Sequence, residues 1–393
     1  MEQRTSDRHR LKSIETTSLL LSSRTRSESF YLLDGLRGVA AVAVLMVHAA
    51  VLFRPVWMRS GYLAVDLFFA LSGFVLAHAY GPRLTAGMTA LAFLRLRLIR
   101  ILPLYFLGTT IAVASALEQR VIGHGQWQTE ALVRSIVAAA FLVPLPPVAG
   151  APNGFAFPLN IPAWSLFFEL LVNVFYATAF GFLTPFRTVV LVGIALAGLI
   201  GTTWYFNGLN AGADWPKLWG GVPRVVFSFF AGVVLYRMVG TVRRSPRGSP
   251  RGPRRVGPWI ILPALLVLFA LPVPAAFRWA FDLTCVVAVF PSLIWYAATA
   301  ESGGARQHAV LTLLGRTSYA LYAIHVPLLG VLLGLLSVAG CRPGWFSPLT
   351  GLMFLVLAIG CSLAADVWFD TPLRRLIAQM LPGAPLRLQG AAR

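Results

Sequence analysis

The sequence carries several side chains whose type and spacing could do chemistry. "LDGLRGVAAVAVLMVH" holds Asp34, Arg37 and His48, "RLRLIRILPLY" holds Arg97 and Arg100, "PAWSLFFELLVNVFY" holds Glu169, and "GRTSYALYAIHVP" holds His325. An imidazole, with an ordinary pKa near 6.5, can take up and return a proton near neutral pH. Paired guanidinium groups present a fork that suits phosphate. A carboxylate can orient an imidazole or hold a substrate hydroxyl.

These residues lie in or beside apolar runs. A central Asp or Arg in a membrane helix costs roughly 2.5 to 3.5 kcal/mol on insertion scales, so such residues persist mainly where they act. Arg37 and His48 are eleven positions apart. On a helix that brings their side chains to within about 20° of each other, roughly 16 Å apart along the axis, on one interior groove. Asp34, one turn below, is placed to pair with Arg37. A helix-entry Asp-Arg pair and a core histidine bonded to a neighbouring helix would give the same spacing. In "GYLAVDLFFALSGFVLAHA", Asp66 and Gly73 share a face. Asp66 needs a partner across a helix interface, and Ser72-Gly73 could let two helices, or a ligand, come close. His78 reads as a headgroup-level residue. Arg97 and Arg100 are one helix turn apart just before the run from Ile101, with Arg95 as a basic anchor and Pro103 at a helix entry or kink. Asn173 and Tyr176 continue the face of Glu169. Ser318, Tyr322 and His325 form one stripe, with Pro327 compatible with a kink.

The elements that must position these groups are membrane helices. Of the 393 residues, 57% are hydrophobic and 12% charged, and mean hydropathy is +0.73, outside the range of soluble domains. The net charge of +19 would suggest nucleic acid in a soluble protein. Here the basic residues cluster between apolar runs, where they set topology, so no nucleic-acid partner is expected. The loop "RRSPRGSPRGPRR", Arg243 to Arg255, reads as a solvated cytoplasmic linker, with anionic lipid headgroups as its other partner. Cys285, Cys341 and Cys361 show no CxxC spacing, so neither a disulfide framework nor a metal site is expected.

Runs long enough to cross roughly 30 Å of hydrocarbon lie near 38–53, 61–80, 101–117, 164–183, 187–206, 220–239, 258–276, 279–299, 317–339 and 348–370. The expected fold is an all-α, polytopic transmembrane bundle of about ten spans with both termini cytoplasmic. Residues 1–30 lack a secretory signal pattern and read as a flexible cytoplasmic tail, 31–375 as the membrane domain, and 376–393 as a second tail. The run Ala131 to Val143 is too short to cross, and counting it would put the basic loop outside, against the positive-inside tendency. The segment 118–163 reads as a lid or binding loop. No internal repeat is evident, which weakens a transporter reading.

Five stretches, "LDGLRGVAAVAVLMVH", "GYLAVDLFFALSGF", "RLRLIRILPLY", "PAWSLFFE" and "LGRTSYALYAIHVP", resemble in order and spacing the acyltransferase-3 family of integral-membrane O-acyltransferases, over about residues 30 to 375. That resemblance puts the family's Arg-x10-His signature on Arg37 and His48 and its Arg-x-x-Arg on Arg97 and Arg100. Its Trp-Ser-Leu-x-x-Glu element falls on Trp164, Ser165, Leu166 and Glu169. It implies transfer of an acyl group, commonly acetyl from acetyl-CoA, to a sugar hydroxyl, with no permanently bound cofactor. The chain departs from the family at "FDTPLRR", which leaves the role of Asp370 open, and the short stretch after the tenth run leads to the expectation of no fused hydrolase-like domain.

The expected mechanism has acyl-CoA present its phosphates to Arg97 and Arg100, with Arg37 along the path and His48 as base toward the acceptor hydroxyl. Glu169 or Asp66 would fix the tautomer of His48, and Arg37 or Tyr322 would support the oxyanion. Ser72, Trp164, Ser165, Tyr322, His325 and Asp34 are the expected supporting residues, and an acyl-histidine intermediate is the alternative path. The expected acceptor is a surface glycan or its lipid-linked precursor at a bacterial-type inner membrane, chosen as the commoner family role. Acylation of a macrolide-like metabolite and a non-catalytic carrier or flippase for lipid-linked sugars are the rivals.

Overall fold

The computed structural model describes residues 30–123, 127–244, 257–299 and 304–380. Among them the secondary structure is helical, apart from an isolated bridge between Phe155 and Asp214. The helices are α1 (Tyr31–His48), α2 (Ala64–Thr85), α3 (Ala90–Val121), α4 (Thr129–Ala140), α5 (Ala163–Thr178), α6 (Pro185–Phe206), α7 (Gly221–Arg244) and α8 (Pro258–Ala270). They are followed by α9 (Ala275–Thr299), α10 (Ala305–Val338) and α11 (Leu349–Met380). Both α9 and α11 contain a π-helical stretch, at Cys285–Val289 and Ala365–Asp370.

Eight of these segments are long and apolar enough to cross a membrane, and α5 and α8 are shorter apolar helices. Together they stand where the sequence predicts spans. The short run at 131–143 falls in α4, only 12 residues long, which leads into an irregular stretch. Of the expected tails, residues 1–29 and 381–393 lie outside the described residues, while α11 runs to Met380, past the expected end of the membrane domain. The Arg243–Arg255 loop lies outside them from residue 245 onward.

Local sequence accounts for several helix ends. Thr89 caps α3 by accepting from the Ala92 amide at 3.2 Å. Thr184 does the same for α6 with Pro185 at its first position, where a missing N–H costs nothing. The interior prolines do not break their helices. Pro327 has no N–H, which leaves the Ala323 carbonyl without its helical donor; the Asn160 side-chain amide supplies one at 3.0 Å.

Two parallel seams set the bundle. Along α1 and α10, Gly35 meets Leu311, Gly38 meets Leu314 and His48 meets His325, so contacts advance in the same direction on both helices. A Cβ on Gly38 would lie 2.5 Å from Leu314 Cβ. Along α2 and α7, Asp66 meets Arg224, and a Cβ on Gly73 would lie 1.9 Å from the Phe229 carbonyl oxygen. In lipid, close approach of this kind holds helices together, since tails are as apolar as leucine.

The segment after α3, read from sequence as a lid, is tied down. Tyr105 donates to the Ala139 carbonyl at 2.7 Å, Leu145 N–H to Ala156 O at 2.8 Å, and Ala156 N–H to Ala213 O at 2.9 Å. It is a cap sewn to the 207–219 connection. The α2–α7 seam predicts that Gly73→Ala lowers thermal stability in detergent by about 1–3 kcal/mol or more, as overpacking does. Gly81→Ala, where an added atom meets nothing within 4 Å, should leave the unfolding midpoint nearly unchanged.

Candidate functional site

Asp66 does find a partner across a helix interface, and it is Arg224 of α7. Arg224 Nε donates to Asp66 Oδ1 at 3.1 Å, and Nη2 meets both Asp66 Oδ2 and the Tyr62 carbonyl. Nη1 donates to Ala211 O, and the guanidinium lies 5.2 Å from the Trp164 ring centroid. The pair is almost fully buried, at 1% and 0% exposure. Beside it Asp282 accepts from Tyr62 OH at 2.7 Å and from the Leu209 amide at 2.8 Å. Asp66 therefore does not orient an imidazole; it is consumed in a fully paired knot at the starts of α2 and α7. Arg224 and Asp282 were missed as site residues although both stand inside apolar runs, where the insertion-cost argument applies equally.

Glu169 is the hub of a second cluster. Its Oε1 accepts from Ser72 Oγ at 2.9 Å and from Arg97 Nη2 at 2.8 Å, joining α5, α2 and α3. It is bound to neither histidine, which corrects the expectation that it fixes the tautomer of His48: the Ser72 hydroxyl and the Arg97 guanidinium reach its acceptor oxygen first. Around this hub several buried atoms have no hydrogen-bond partner among the described residues. They are Arg97 Nε and both amide atoms of Asn173, one turn beyond Glu169. Tyr176 is instead core, ringed by Phe93, Phe180, Phe229 and Phe230.

The histidines meet each other. His325 Nε2 lies 3.0 Å from His48 Nδ1, which also lies 3.0 Å from the Val44 carbonyl. His325 Nδ1 contacts the Leu321 and Tyr322 carbonyls at 2.9 and 3.0 Å. His325 is 1% exposed, whereas His48 is half-buried and its Nε2 is open, bonded to no described residue and not enclosed. Ser165 Oγ and Tyr322 OH are 2.6 Å apart, and both face the Pro162 carbonyl. Ser318 turns back to Gly315 O on its own helix, and His78 sits in an aromatic group with Phe30 and Tyr236.

The arginines separate. Arg100 lies 3.7 Å from Asp370 and 5.7 Å from the Tyr319 ring, so it and Arg97 do not form the expected two-pronged fork; each has its own carboxylate. Asp370 in turn pairs with Arg374, and Asp366 with Arg316 at 2.7 Å. The expected pairing of Asp34 with Arg37 is not made either. Asp34 packs on the bare Cα of Gly315, where a Cβ would come within 2.5 Å, and that holds its carboxylate toward α10. Arg37 makes no hydrogen bond or ion pair with any described residue, yet its guanidinium is not sealed in. The charges around it are Asp34, Arg100, Glu169 and Arg97.

An open guanidinium and an open imidazole nitrogen thus lie on one helix beside a cluster of cations. Comparison with known proteins names the family: an acyltransferase domain model matches residues 30–367. The chain belongs to the acyltransferase-3 family. Acyltransferase-3 relatives include "Protein 2 in picA locus" of Rhizobium radiobacter, 40% identical over 45% of this chain and 96% of that protein. The "Exopolysaccharide production protein ExoZ" of Rhizobium meliloti is 26% identical over 80% of this chain and 90% of its own. "Acyltransferase MdmB" of Streptomyces mycarofaciens is 28% identical over 75% and 77%. No solved structure matches significantly. This acyltransferase is thus an integral membrane protein by its family and its apolar helices.

The buried Asp66–Arg224 pair predicts a stability effect. Asp66→Ala, which strands a buried cation, should cost about 3–5 kcal/mol. The double change Asp66→Leu with Arg224→Met should cost clearly less, as read by thermal unfolding in detergent.

Proposed function

We propose that this protein transfers an acyl group, acetyl in the first instance, from acyl-CoA to a hydroxyl of a surface glycan or its lipid-linked precursor, in a bacterial-type inner membrane. The observation that carries the reading is the pair of open groups on α1, the Arg37 guanidinium and His48 Nε2. A guanidinium with unused donors at membrane depth is costly unless an anion completes it, and a CoA thioester brings phosphates. Arg37 and the part-exposed Arg100 meet those phosphates first, while Arg97 is held by Glu169. The thioester then lies along the Arg37 face toward His48.

There the acceptor hydroxyl gives its proton to His48 Nε2 as its oxygen bonds to the thioester carbonyl carbon. The tetrahedral intermediate collapses, the C–S bond breaks, and the departing thiolate takes the proton back from Nε2. The acyl group has moved from sulfur to oxygen and His48 is neutral again. Membership of an acyltransferase family favours this chemistry over a carrier for lipid-linked sugars, and the exopolysaccharide role in the name of one relative favours a glycan acceptor.

The seams support the reading of ten crossings, and the clustering of basic residues between the apolar runs supports placing both ends on the cytoplasmic side. Parallel packing of α1 with α10 and of α2 with α7 requires an odd number of crossings between the partners, which holds when α4 stays out of the membrane.

His48→Ala should leave the protein inserted while acylated product falls to background by mass spectrometry of surface glycans; unaltered product overturns the assignment. Arg37→Ala should raise the acyl-CoA concentration for half-maximal rate about tenfold or more, the effect of losing a charge-assisted hydrogen bond of about 1.5–3 kcal/mol. An unchanged dependence removes Arg37 from the donor site.

A further inference from the structure

We infer that His325 is the positioning residue of the site: it holds His48 in the Nδ1–H tautomer and so presents the lone pair of Nε2 to the acceptor hydroxyl. The inference rests on the reading of His48 as the base and adds what makes that base competent.

The hydrogen-bond inventory leaves one assignment. A carbonyl oxygen only accepts, so the two carbonyls at His325 Nδ1, Leu321 O at 2.9 Å and Tyr322 O at 3.0 Å, require a proton on that nitrogen. A neutral His325 then has a lone pair at Nε2, and this nitrogen faces His48 Nδ1 at 3.0 Å. His48 Nδ1 must be the donor there. The Val44 carbonyl, also 3.0 Å from Nδ1, shares the same proton as a second acceptor. With Nδ1 protonated, a neutral His48 keeps its lone pair at Nε2, the nitrogen that no described residue occupies.

The opposite assignment fails on charge. If His325 Nε2 were the donor, His325 would carry both protons and a full positive charge at 1% exposure, with no carboxylate bonded to it. Val44 O would then face a bare nitrogen lone pair.

The helices explain why His325 holds this position. The two carbonyls come from its own preceding turn, and the next exposed carbonyl, Ala323 O, is satisfied by Asn160 because Pro327 cannot reach it. His325 is thereby locked by backbone, and α1 is locked to α10 by the Gly38–Leu314 contact. Carboxylates do this work beside many catalytic histidines. Here they are engaged elsewhere, Asp66 by Arg224 and Glu169 by Ser72 and Arg97, and a second imidazole takes their place. As His48 gains its proton, the Nδ1–H bond to the neutral His325 strengthens and disperses the new charge.

The test uses the full-length protein in detergent or nanodiscs with isotope-labelled histidine. Nitrogen chemical shifts of His48, assigned by their loss in His48→Ala, should report a protonated Nδ1 and an unprotonated Nε2. In His325→Ala, where only the Val44 carbonyl remains to hold that proton, the Nε2–H tautomer should gain population, with kcat down about a hundredfold or more and the KM for acyl-CoA within about twofold. His325→Gln, whose amide oxygen can accept from Nδ1, should recover part of that kcat, and His325→Leu should not. A protonated Nε2 on His48 in the unaltered protein overturns the inference without any variant. So does wild-type kcat in His325→Ala while His48→Ala is inactive, an outcome that leaves His48 as base. Full activity in His48→Ala would instead sink the reading beneath both.

Discussion

The close parallel packing of α1 on α10 is the constraint from which the site follows. Gly38 lets the two backbones approach until any side chain there would overlap Leu314, and Asp34 rests on the bare Cα of Gly315. With the register fixed at these glycines, His48 and His325 arrive at the same height about three turns later. In water such a seam would be one of many ways to bury apolar area. Between lipid tails it is the backbone approach itself that holds the helices together.

Two polar networks divide the interior, and they differ in completeness. The one at the starts of α2 and α7 is closed: Arg224, Asp66, Tyr62 and Asp282 use their charges and hydrogens on one another and on backbone carbonyls and amides. A closed network has nothing left for a ligand, and its effect is to fix where α2, α7 and α9 stand. The other network, around Glu169, is open. Among the described residues Arg37 beside it has no partner, and Arg97 Nε and the Asn173 amide are unused. Polar groups held at depth without partners are expensive, and the cost is removed only when something polar enters. The closed network ties helices together, while the open one leaves polar groups without partners among the described residues.

The fold alone would not have assigned a chemistry, because membrane bundles carry many functions. What narrows it is the match of an acyltransferase domain across residues 30–367 together with relatives whose names include an acyltransferase and an exopolysaccharide production protein. Within that frame the geometry distributes roles differently from a simple charge-pairing picture: the carboxylates serve the arginines and the backbone serves the histidines.

Much of this was legible in the sequence. Apolar runs of membrane length located the helices, because hydrocarbon thickness imposes length and composition directly, and the short run at 131–143 became the 12-residue α4. The cost of burying charge marked Arg37, His48, Asp66, Glu169 and His325 as residues with partners or purposes, and helical periodicity put Arg37 and His48 on one face. The pairings themselves were not legible. Asp66 with Arg224 joins residues 158 apart in the chain, and His48 with His325 joins residues 277 apart. Spacing within a helix says which way a side chain points but not what the neighbouring helix brings to it. Packing decided that, through glycines that set approach and register, and so determined which acid was spent, which cation stayed without a partner among the described residues and which nitrogen of His48 is engaged by His325.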